Sequence, residues 1–329
     1  MSKSFDEVAS TRREEYAKDA GDESFVRALN DHLAPREREL YVECEIEHPF
    51  VFVVGLPRSG TTLLSQLLAY SLDAGYVTNF AARFWLAPVH GLRLGRILFG
   101  TEKPDRFESD YARTHDPREI HEFGYFWRHW LEKETFRDVV RSRELEATID
   151  WDGLRLTLAN VQRELGRPYV GKNMLGAYHM AKLNDVLAKV LWVHIERDPL
   201  DVAISILDAR RKHYDDLRSW WSYVPLEYHR LEGLDHWQQI AGQVHYLDQL
   251  YETELAPLGD GAVRTSYEQL CRDPAGVLSD ISSRSEALFG ESIPIASPPP
   301  ASFPLRRHED RDDEKARFAE LLAELAKER

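Results

Sequence analysis

Two continuous apolar runs stand out along the chain, and each is followed by a turn and a helix-like pattern. Residues 50–54 read Phe-Val-Phe-Val-Val, and residues 190–195 read Val-Leu-Trp-Val-His-Ile. Such β-branched and aromatic runs are typical of central strands in a parallel sheet, which are buried on both faces. A glycine-bracketed loop at 55–60 precedes a helix that opens at Thr61, and a second helix restarts after Pro199. The pattern therefore predicts two strand–turn–helix units.

Weaker patterns predict the remaining elements of the core. Short apolar runs predict further strands, and longer runs with apolar residues at helical spacing predict helices. The predicted strands cover residues 169–171 and 261–265, and the predicted helices cover 152–165, 178–188, 236–255, a segment opening at Tyr267, and the last twenty residues. Alternating strands and helices predict an α/β fold with a central parallel β-sheet flanked by helices.

The two ends of the chain are predicted to lie outside this core. Residues 1–45 are rich in charge, and Phe25, Leu29, Leu33 and Leu40 recur at helical spacing, which predicts a helical hairpin broken at Pro35. We interpret the chain as a single domain. It comprises a helical preface at 1–45, a core at 50–275 and a C-terminal loop and helix at 293–329.

Charge and composition narrow the classes of function. The 329 residues include 42 Lys and Arg against 56 Asp and Glu, a net charge of −14. Such an acidic chain is unsuited to general nucleic-acid binding or to a polybasic membrane surface. Two cysteines predict neither a disulfide framework nor a zinc cluster. Because no run approaches the ~20 apolar residues of a membrane span and the N-terminus lacks a signal-peptide core, we expect a cytoplasmic protein.

The loop at 55–62 carries the strongest chemical signal. Gly55-Leu-Pro-Arg-Ser-Gly-Thr-Thr has the spacing of a phosphate-binding loop, whose backbone N–H groups face a phosphate at a helix N-terminus. A nucleotide triphosphatase has lysine after the second glycine, where this chain has Thr61, and the cation has moved to Arg58. A P-loop kinase or triphosphatase is therefore the alternative hypothesis, not the leading one.

A second phosphate site is predicted at the end of the second apolar run. Arg197 follows that run, and Ser205 lies eight residues later, about two helical turns away. A cation at a strand end and a hydroxyl on the following helix suit a second phosphate group. Together the two elements predict a ligand with two separate phosphates.

These motifs carry a resemblance to a known family. Leu56-Pro-Arg-Ser-Gly-Thr-Thr-Leu resembles the 5′-phosphosulfate loop of sulfotransferases, and the segment from Arg197 to Ser205 resembles their 3′-phosphate motif. Lys172 and Tyr267 match two further positions of the family pattern in order and spacing. The bacterial carbohydrate- and metabolite-type enzymes are the most similar. The resemblance implies a P-loop-like α/β fold, 3′-phosphoadenosine 5′-phosphosulfate (PAPS) as donor, 3′,5′-adenosine bisphosphate as product, a hydroxylated small-molecule, carbohydrate or lipid-like acceptor, and no metal.

The resemblance also implies roles for individual residues. Arg58 and Lys172 would stabilise charge during sulfuryl transfer, and Tyr267 would flank the adenine. The 5′-phosphate would be held by Pro57, Arg58, Ser59, Gly60, Thr61 and Thr62, and the 3′-phosphate by Arg197 and Ser205. Arg306 and Arg307 would close over the nucleotide, although a solvated basic pair explains them equally well.

The general base is the part that the family patterns do not supply. The animal cytosolic branch of the family has a histidine two residues after the conserved-type lysine. In this chain the lysine is Lys172, and Met174 occupies the histidine position. Another branch has glutamate in the region that here reads Thr-Asn-Phe-Ala at 78–81. The best remaining segment is 116–129, in which Glu119 and Glu122 are expected to share a helix face. Glu122 is our first choice as base and His121 the second.

Other readings of the site residues stay open. His115 and His179 are weaker candidates for the base. The tryptophans at 220, 221 and 237 would wall an acceptor pocket or simply pack in the core. A nucleotide-binding relative that has lost catalysis is the remaining alternative to an enzyme.

Overall fold

The computed structural model describes residues 3–107, 116–308 and 310–328. Within these residues a parallel sheet of four strands forms the centre of the molecule: β1 (Phe50–Val54), β2 (Tyr169–Lys172), β3 (Val190–Glu196) and β4 (Ala262–Ser266). The strand order is β2-β1-β3-β4. Phe50 pairs with Tyr169 on one side and with Val190 on the other. The predicted α/β fold with a central parallel sheet is confirmed.

Helices surround this sheet and connect its strands. Before β2 they are α1 (Phe5–Ser10), α2 (Ala20–Arg38), α3 (Thr61–Ser71), α4 (Pro88–Phe99), α5 (Gly124–Trp130), α6 (Phe136–Val140), α7 (Ser142–Leu145) and α8 (Trp151–Leu165). After β2 they are α9 (Met180–Leu187), α10 (Pro199–His213), α11 (Tyr228–Leu231), α12 (His236–Leu255), α13 (Tyr267–Arg272), α14 (Pro274–Phe289) and α15 (Asp312–Leu325). In the described part of the chain, no helix is both long and apolar enough to cross a membrane.

The side chains of β1 alternate between two hydrophobic clusters, as strand geometry requires. Phe50, Phe52 and Val54 pack into the cluster that includes residues of α8, α10 and α12. Val51 and Val53 pack into the other, with residues of α3, α13 and α14. All five side chains are fully buried. This two-faced burial explains why the strand is apolar at every position.

The N-terminal preface differs from its predicted form. Helix α2 runs through Pro35 instead of breaking there, and Phe25 is 68% exposed. The buried residues of α2 are polar: Asn30 and Glu37. The Glu37 carboxylate accepts hydrogen bonds from the backbone N–H groups of Val89 and His90, in the first turn of α4. Pro35 lies in the last turn, where it removes one helical hydrogen bond, and polar anchoring to α4 replaces the expected apolar face.

Candidate functional site

The four strands end at one edge of the sheet, and the predicted site residues meet there. The phosphate-type loop follows β1, Lys172 ends β2, Arg197 follows β3 and Tyr267 follows β4. Because the strands are parallel, their carboxyl ends lie on the same side. Ligands of open α/β sheets bind at this edge, where connections diverge to opposite sides of one strand. Here β1 is that strand, since β2 and β3 flank it.

The glycines of the loop are required by close packing and by backbone conformation. Gly60 has φ of +104° and precedes the first turn of α3. A Cβ on Gly60 would lie 2.7 Å from Cδ2 of Tyr267, and one on Gly55 would lie 2.5 Å from the carbonyl oxygen of Ile195. Only glycine lets the loop lie this close to β3 and to Tyr267. The loop therefore sits tightly between strand ends with its last residue at a helix N-terminus, an arrangement that attracts anions.

Arginine side chains join the two predicted phosphate motifs. Arg58 has φ of +70°, and its Nε donates to Oγ of Ser205 over 3.0 Å. Nη1 of Arg197 donates to the Arg58 carbonyl oxygen over 2.9 Å. The Arg197 guanidinium also lies 4.5 Å from the centroid of the Tyr267 ring. The structure thus brings the loop, the start of α10 and Tyr267 into one constellation.

Two buried polar atoms in this constellation point to an anionic ligand. Ser59 is fully buried, and its Oγ has no hydrogen-bond partner among the described residues. Nε of Arg197 is likewise buried without a partner. A buried donor without a partner costs about 1–3 kcal/mol. Two separate anionic groups, one at the loop beside Ser59 and one beside Arg197, would satisfy these donors, so the residues present fit a ligand with two phosphates.

Lys172 connects the loop helix to the first-choice base. Its side chain is 9% exposed, and its Nζ lies 2.5 Å from Oε1 of Glu122 and 3.4 Å from Oγ1 of Thr62. Burial raises the pKa of Glu122, but the Lys172 ammonium lowers it by more, so the net direction is downward. Glu122 is therefore ionised at neutral pH. The structure brings together a carboxylate, an ammonium and the first turn of α3.

The segment that carries Glu122 is not the predicted helix. Residues 116–123 are extended or turn-like: Thr78 and Ile120 form a bridge, and His121 N–H donates to the Val77 carbonyl over 3.0 Å. Helix α5 begins at Gly124, after Phe123 in a left-handed conformation. Glu119 and Glu122 therefore do not share a helix face, and that expectation is wrong. Pairing with residues 77–79 satisfies this backbone in place of a helix.

The histidine candidates are less suited to act as the base. His121 is exposed in the structure, and partial desolvation of its imidazole and the nearby cations Lys18, Arg83 and Lys172 lower its pKa against the opposing effect of Glu122. The pKa of Glu122 is lowered too, so the hydrogen bonding of His121 decides between them. The Phe123 N–H donates to Nδ1 over 2.9 Å, so the neutral ring carries its proton on Nε2. His179 is buried, and its Nδ1 lies 2.7 Å from Glu146. His115 lies outside the described residues.

Comparison with known proteins decides the family. The family model described as "Sulfotransferase family" matches residues 49–286, which span β1 to α14 and therefore the whole constellation. The chain belongs to the sulfotransferase family. The resemblance to the sulfotransferase family is thereby confirmed. A search of curated proteins gave no match.

Solved sulfotransferase structures are similar to this sulfotransferase at low identity. STF1 from Mycobacterium tuberculosis H37Rv is 15% identical, with a TM-score of 0.46, over 90% of this chain and 81% of that one. STF9 from Mycobacterium avium is 15% identical, with a TM-score of 0.49, over 91% and 72%. The sulfotransferase domain of the Synechococcus PCC 7002 olefin synthase is 16% identical, with a TM-score of 0.40, over 87% and 97%.

The three candidate tryptophans of the sulfotransferase lie in different places. The ring of Trp220 packs 5.0 Å from Tyr228, and that of Trp237 packs 5.0 Å from Phe318 of α15. Trp221 lies 5.9 Å from the Arg58 guanidinium. Of the two alternatives left open by the sequence, packing in the core describes Trp220 and Trp237. Trp221 alone of the three lies beside a predicted site residue.

The C-terminal loop of the sulfotransferase reaches Arg197 through its backbone. Nη2 of Arg197 donates to the Arg306 carbonyl oxygen over 2.5 Å. The side chains of Arg306 and Arg307 are exposed. Their closure over a nucleotide stays a prediction. Within the described residues, no three His, Cys, Asp or Glu side chains group as metal ligands would.

Sequence reasoning missed the residues that hold the start of the loop. The hydroxyls of Tyr223 and Tyr251 lie 2.8 and 2.9 Å from the Gly55 carbonyl oxygen. Both tyrosines are buried, and they come from the α10–α12 connection and from α12. No local pattern distinguishes them from other buried tyrosines. Their role is visible only once the fold brings them to the loop.

Proposed function

We propose that this sulfotransferase transfers the sulfuryl group of PAPS to a hydroxyl of a small-molecule, carbohydrate or lipid-like acceptor. One observation carries the proposal: Lys172 contacts both Thr62 in the loop helix and the Glu122 carboxylate. A phosphate cradle and an ionised acid therefore flank one buried cation. That is the arrangement that an in-line transfer from an anionic donor to an alcohol requires.

PAPS would be bound by hydrogen-bond donors of the loop, which include backbone N–H groups and the buried Ser59 hydroxyl that lacks a protein partner in the described part of the chain. The N–H groups at the start of α3, with the hydroxyls of Ser59, Thr61 and Thr62, would hold the 5′-phosphate. Arg197 and Ser205 would hold the 3′-phosphate. Tyr267 would contact the adenine, with one face of its ring already covered by Arg197. None of these contacts requires a metal ion.

The chemistry would be shared among three side chains. PAPS supplies a sulfur that bonds to the acceptor oxygen as its bond to the 5′-phosphate oxygen breaks. Glu122, ionised beside Lys172, would take the proton of the acceptor hydroxyl. Lys172 and Arg58 would stabilise the negative charge that moves onto the oxygens in the transition state. His121 has Nδ1 occupied and would donate a hydrogen bond to the acceptor rather than remove its proton.

The direct test is transfer of label from radiolabelled PAPS to a panel of sugars, phenols, aliphatic alcohols and hydroxylated lipids. We expect labelled product with at least one class and none with Arg58→Ala. Arg218→Ala is the matched control, since Arg218 is an exposed arginine paired with Asp216. Protein that binds 3′,5′-adenosine bisphosphate but labels nothing would indicate an inactive nucleotide-binding relative. Protein that binds Mg·ATP instead would indicate a kinase-like site.

A further inference from the structure

The start of the phosphate-type loop is held by two tyrosine hydroxyls that converge on one carbonyl oxygen. The hydroxyls of Tyr223 and Tyr251 both lie within hydrogen-bond distance of the Gly55 carbonyl oxygen, and they also contact each other. The two phenol protons link these three oxygens: one hydroxyl donates to Gly55, and the other donates to Gly55 or to the first hydroxyl. Convergence of two phenols on one backbone oxygen is more than is needed to satisfy it, since one hydrogen bond suffices. The Gly55 carbonyl is therefore fixed in direction as well as satisfied.

The direction of this carbonyl fixes the peptide plane between Gly55 and Leu56, where the loop begins. Gly55 has φ of +152° and lacks a side chain, so this peptide is freer to rotate than one that follows a larger residue. Rotation there would change the path of the backbone into residues 56–60. A carbonyl held from two sides prevents the rotation before any anion binds. This is preorganisation of an anion site by residues outside it.

The segment bearing Tyr223 is itself anchored, and it reaches the loop at a second point. Gln243 of α12 is fully buried, and its Nε2 donates to the carbonyls of Trp221 and Tyr223 over 3.0 and 2.9 Å. Trp221 lies against Arg58. One short segment therefore contacts the first residue of the loop and its central cation. A buried glutamine is costly unless bonded, and both of these bonds fix that segment.

We propose that Tyr223 and Tyr251 are positioning residues that preorganise the loop for the 5′-phosphate of the donor. This proposal rests on the proposed function, because it assigns the loop to the 5′-phosphate. The two residues touch neither donor nor acceptor. Their loss should weaken binding of the 5′-phosphate and leave binding of other ligand groups unchanged. A general contribution to stability would not show this selectivity.

The test compares three nucleotides on hydroxyl-deletion variants, by calorimetric titration. We expect Tyr223→Phe and Tyr251→Phe each to weaken 3′,5′-adenosine bisphosphate and adenosine 5′-monophosphate about fivefold, and the double variant about thirtyfold. Adenosine 3′-monophosphate, which lacks the group bound by the loop, should bind all variants within twofold of the parent. Tyr41→Phe is the matched control, since that half-buried hydroxyl bonds to Thr157 and Glu37 and not to the loop or to the segment bearing Tyr223. Its affinities should not change.

Hydrogen exchange of the ligand-free protein gives a second readout that does not depend on the donor. The backbone amides of residue 56 and of residues 58–62 should exchange about tenfold faster in the double variant than in Tyr41→Phe. Equal affinities and equal exchange in the double variant and the parent would overturn the proposal. A uniform loss of affinity for all three nucleotides would also overturn it in favour of a structural role. If the parent binds none of the nucleotides, the proposed function fails, and the exchange rates alone decide whether the tyrosines hold the loop.

Discussion

The proposed donor side of the site, around the loop, and the proposed acceptor side, around Glu122, are built in different ways. On the donor side, the loop, Arg197 and Tyr267 each follow directly after a strand, and buried atoms such as Ser59 Oγ have no protein partner. On the acceptor side, Glu122 is paired with Lys172. Nearby, Lys18 of the N-terminal preface lies 2.8 Å from the Tyr125 hydroxyl and 3.0 Å from Glu23. The first side is a set of short motifs in which buried donors lack a protein partner among the described residues, and the second is an assembly of mutually paired groups.

This difference explains which parts of the site are evident from sequence. Donor-side residues must follow strand ends and sit in a glycine-bracketed turn, so they appear as contiguous motifs. Acceptor-side residues come from segments far apart in the chain and are joined by tertiary contacts. Binding an alcohol does not require a particular backbone conformation, whereas binding a phosphate on the loop does. The following predictions test that contrast.

The largest effect is expected for Arg58→Ala, since Arg58 is the cation inside the donor-side loop. Removing a group that stabilises transition-state charge lowers kcat by about 10²–10³. Rapid-quench single-turnover transfer from PAPS measures this directly, with Arg218→Ala as control. A full-rate Arg58→Ala enzyme would refute the assigned role.

Glu122→Gln tests the proposed acceptor side by its effect on the rate of the chemical step. The amide keeps the shape of the side chain but cannot take a proton, so we expect the chemical step to fall by about 10²–10⁴. Affinity for 3′,5′-adenosine bisphosphate should stay within twofold of the parent, because Glu122 does not belong to the donor cradle. Since Lys172 lowers the pKa of Glu122, the acidic limb of the pH–rate profile should lie below the usual glutamate range. An unchanged rate would move the assignment to His121 or to a substrate group.

Arg197→Ala should separate binding from chemistry on the donor side. Arg197 bonds to the carbonyls of Arg58 and Arg306 and has one donor atom without a partner. Loss of a charge-assisted contact costs about 1.5–3 kcal/mol, which corresponds to a ten- to hundredfold weaker bisphosphate complex. At saturating PAPS, kcat should change little. A variant that binds normally but turns over slowly would place Arg197 in the chemical step.

Lys133 sharpens the comparison, because it also lacks a hydrogen-bond partner but does not belong to the donor side. The residue is fully buried, its Nζ has no partner among the described residues, and burial lowers its pKa to about 8. Below pH 8 the ammonium is charged in both states, and its burial penalty is fully present. Between pH 8 and the unfolded value of 10.5 the unfolded chain binds more protons, so stability rises with pH.

Lys133→Met should therefore stabilise the fold at pH 7 by about 3 kcal/mol and remove that rise. Urea unfolding at a series of pH values measures both effects. Bisphosphate affinity should not change, in contrast with the donor-side variants. A destabilised Lys133→Met protein at pH 7 would show that the ammonium has a favourable partner.

Ser59→Ala is expected to have the smallest effect. Its hydroxyl is buried without a partner among the described residues, so its removal should stabilise the ligand-free fold by about 1 kcal/mol. Loss of one hydrogen bond to the 5′-phosphate should weaken bisphosphate binding about fivefold. Ser65→Ala is a matched control, because that buried hydroxyl donates to the Thr61 carbonyl within α3. Equal affinities for Ser59→Ala and the parent would remove Ser59 from the cradle.

Much of the fold followed from the sequence because its signals are local. The runs at 50–54 and 190–195 are apolar at every position since both sheet faces are covered, and Pro199 marks the start of α10. The preface was less predictable: Pro35 lies where a helix tolerates it, and α2 is anchored by buried Glu37 instead of an apolar stripe. Periodicity does not report polar anchoring between distant helices.

The candidate site, like the fold, was predictable from sequence where its signals are local and not where it depends on contacts between distant segments. Glu122 was chosen for its residue type, but the helix assumed for it was wrong, because residues 120–121 pair with 77–78 instead. The tyrosines on Gly55 gave no signal, since a buried tyrosine that packs and one that holds a loop look alike in sequence. Nonlocal hydrogen bonds therefore account for what the motifs did not reveal.

The central claim is that the loop side of the sheet edge binds a bisphosphorylated adenosine without a metal. Calorimetric titration of the parent protein with 3′,5′-adenosine bisphosphate, in the presence of a chelator and beside a titration with Mg·ATP, tests it most directly. We predict tight binding of the bisphosphate and none of Mg·ATP. Tight binding of Mg·ATP with no binding of the bisphosphate would contradict the account.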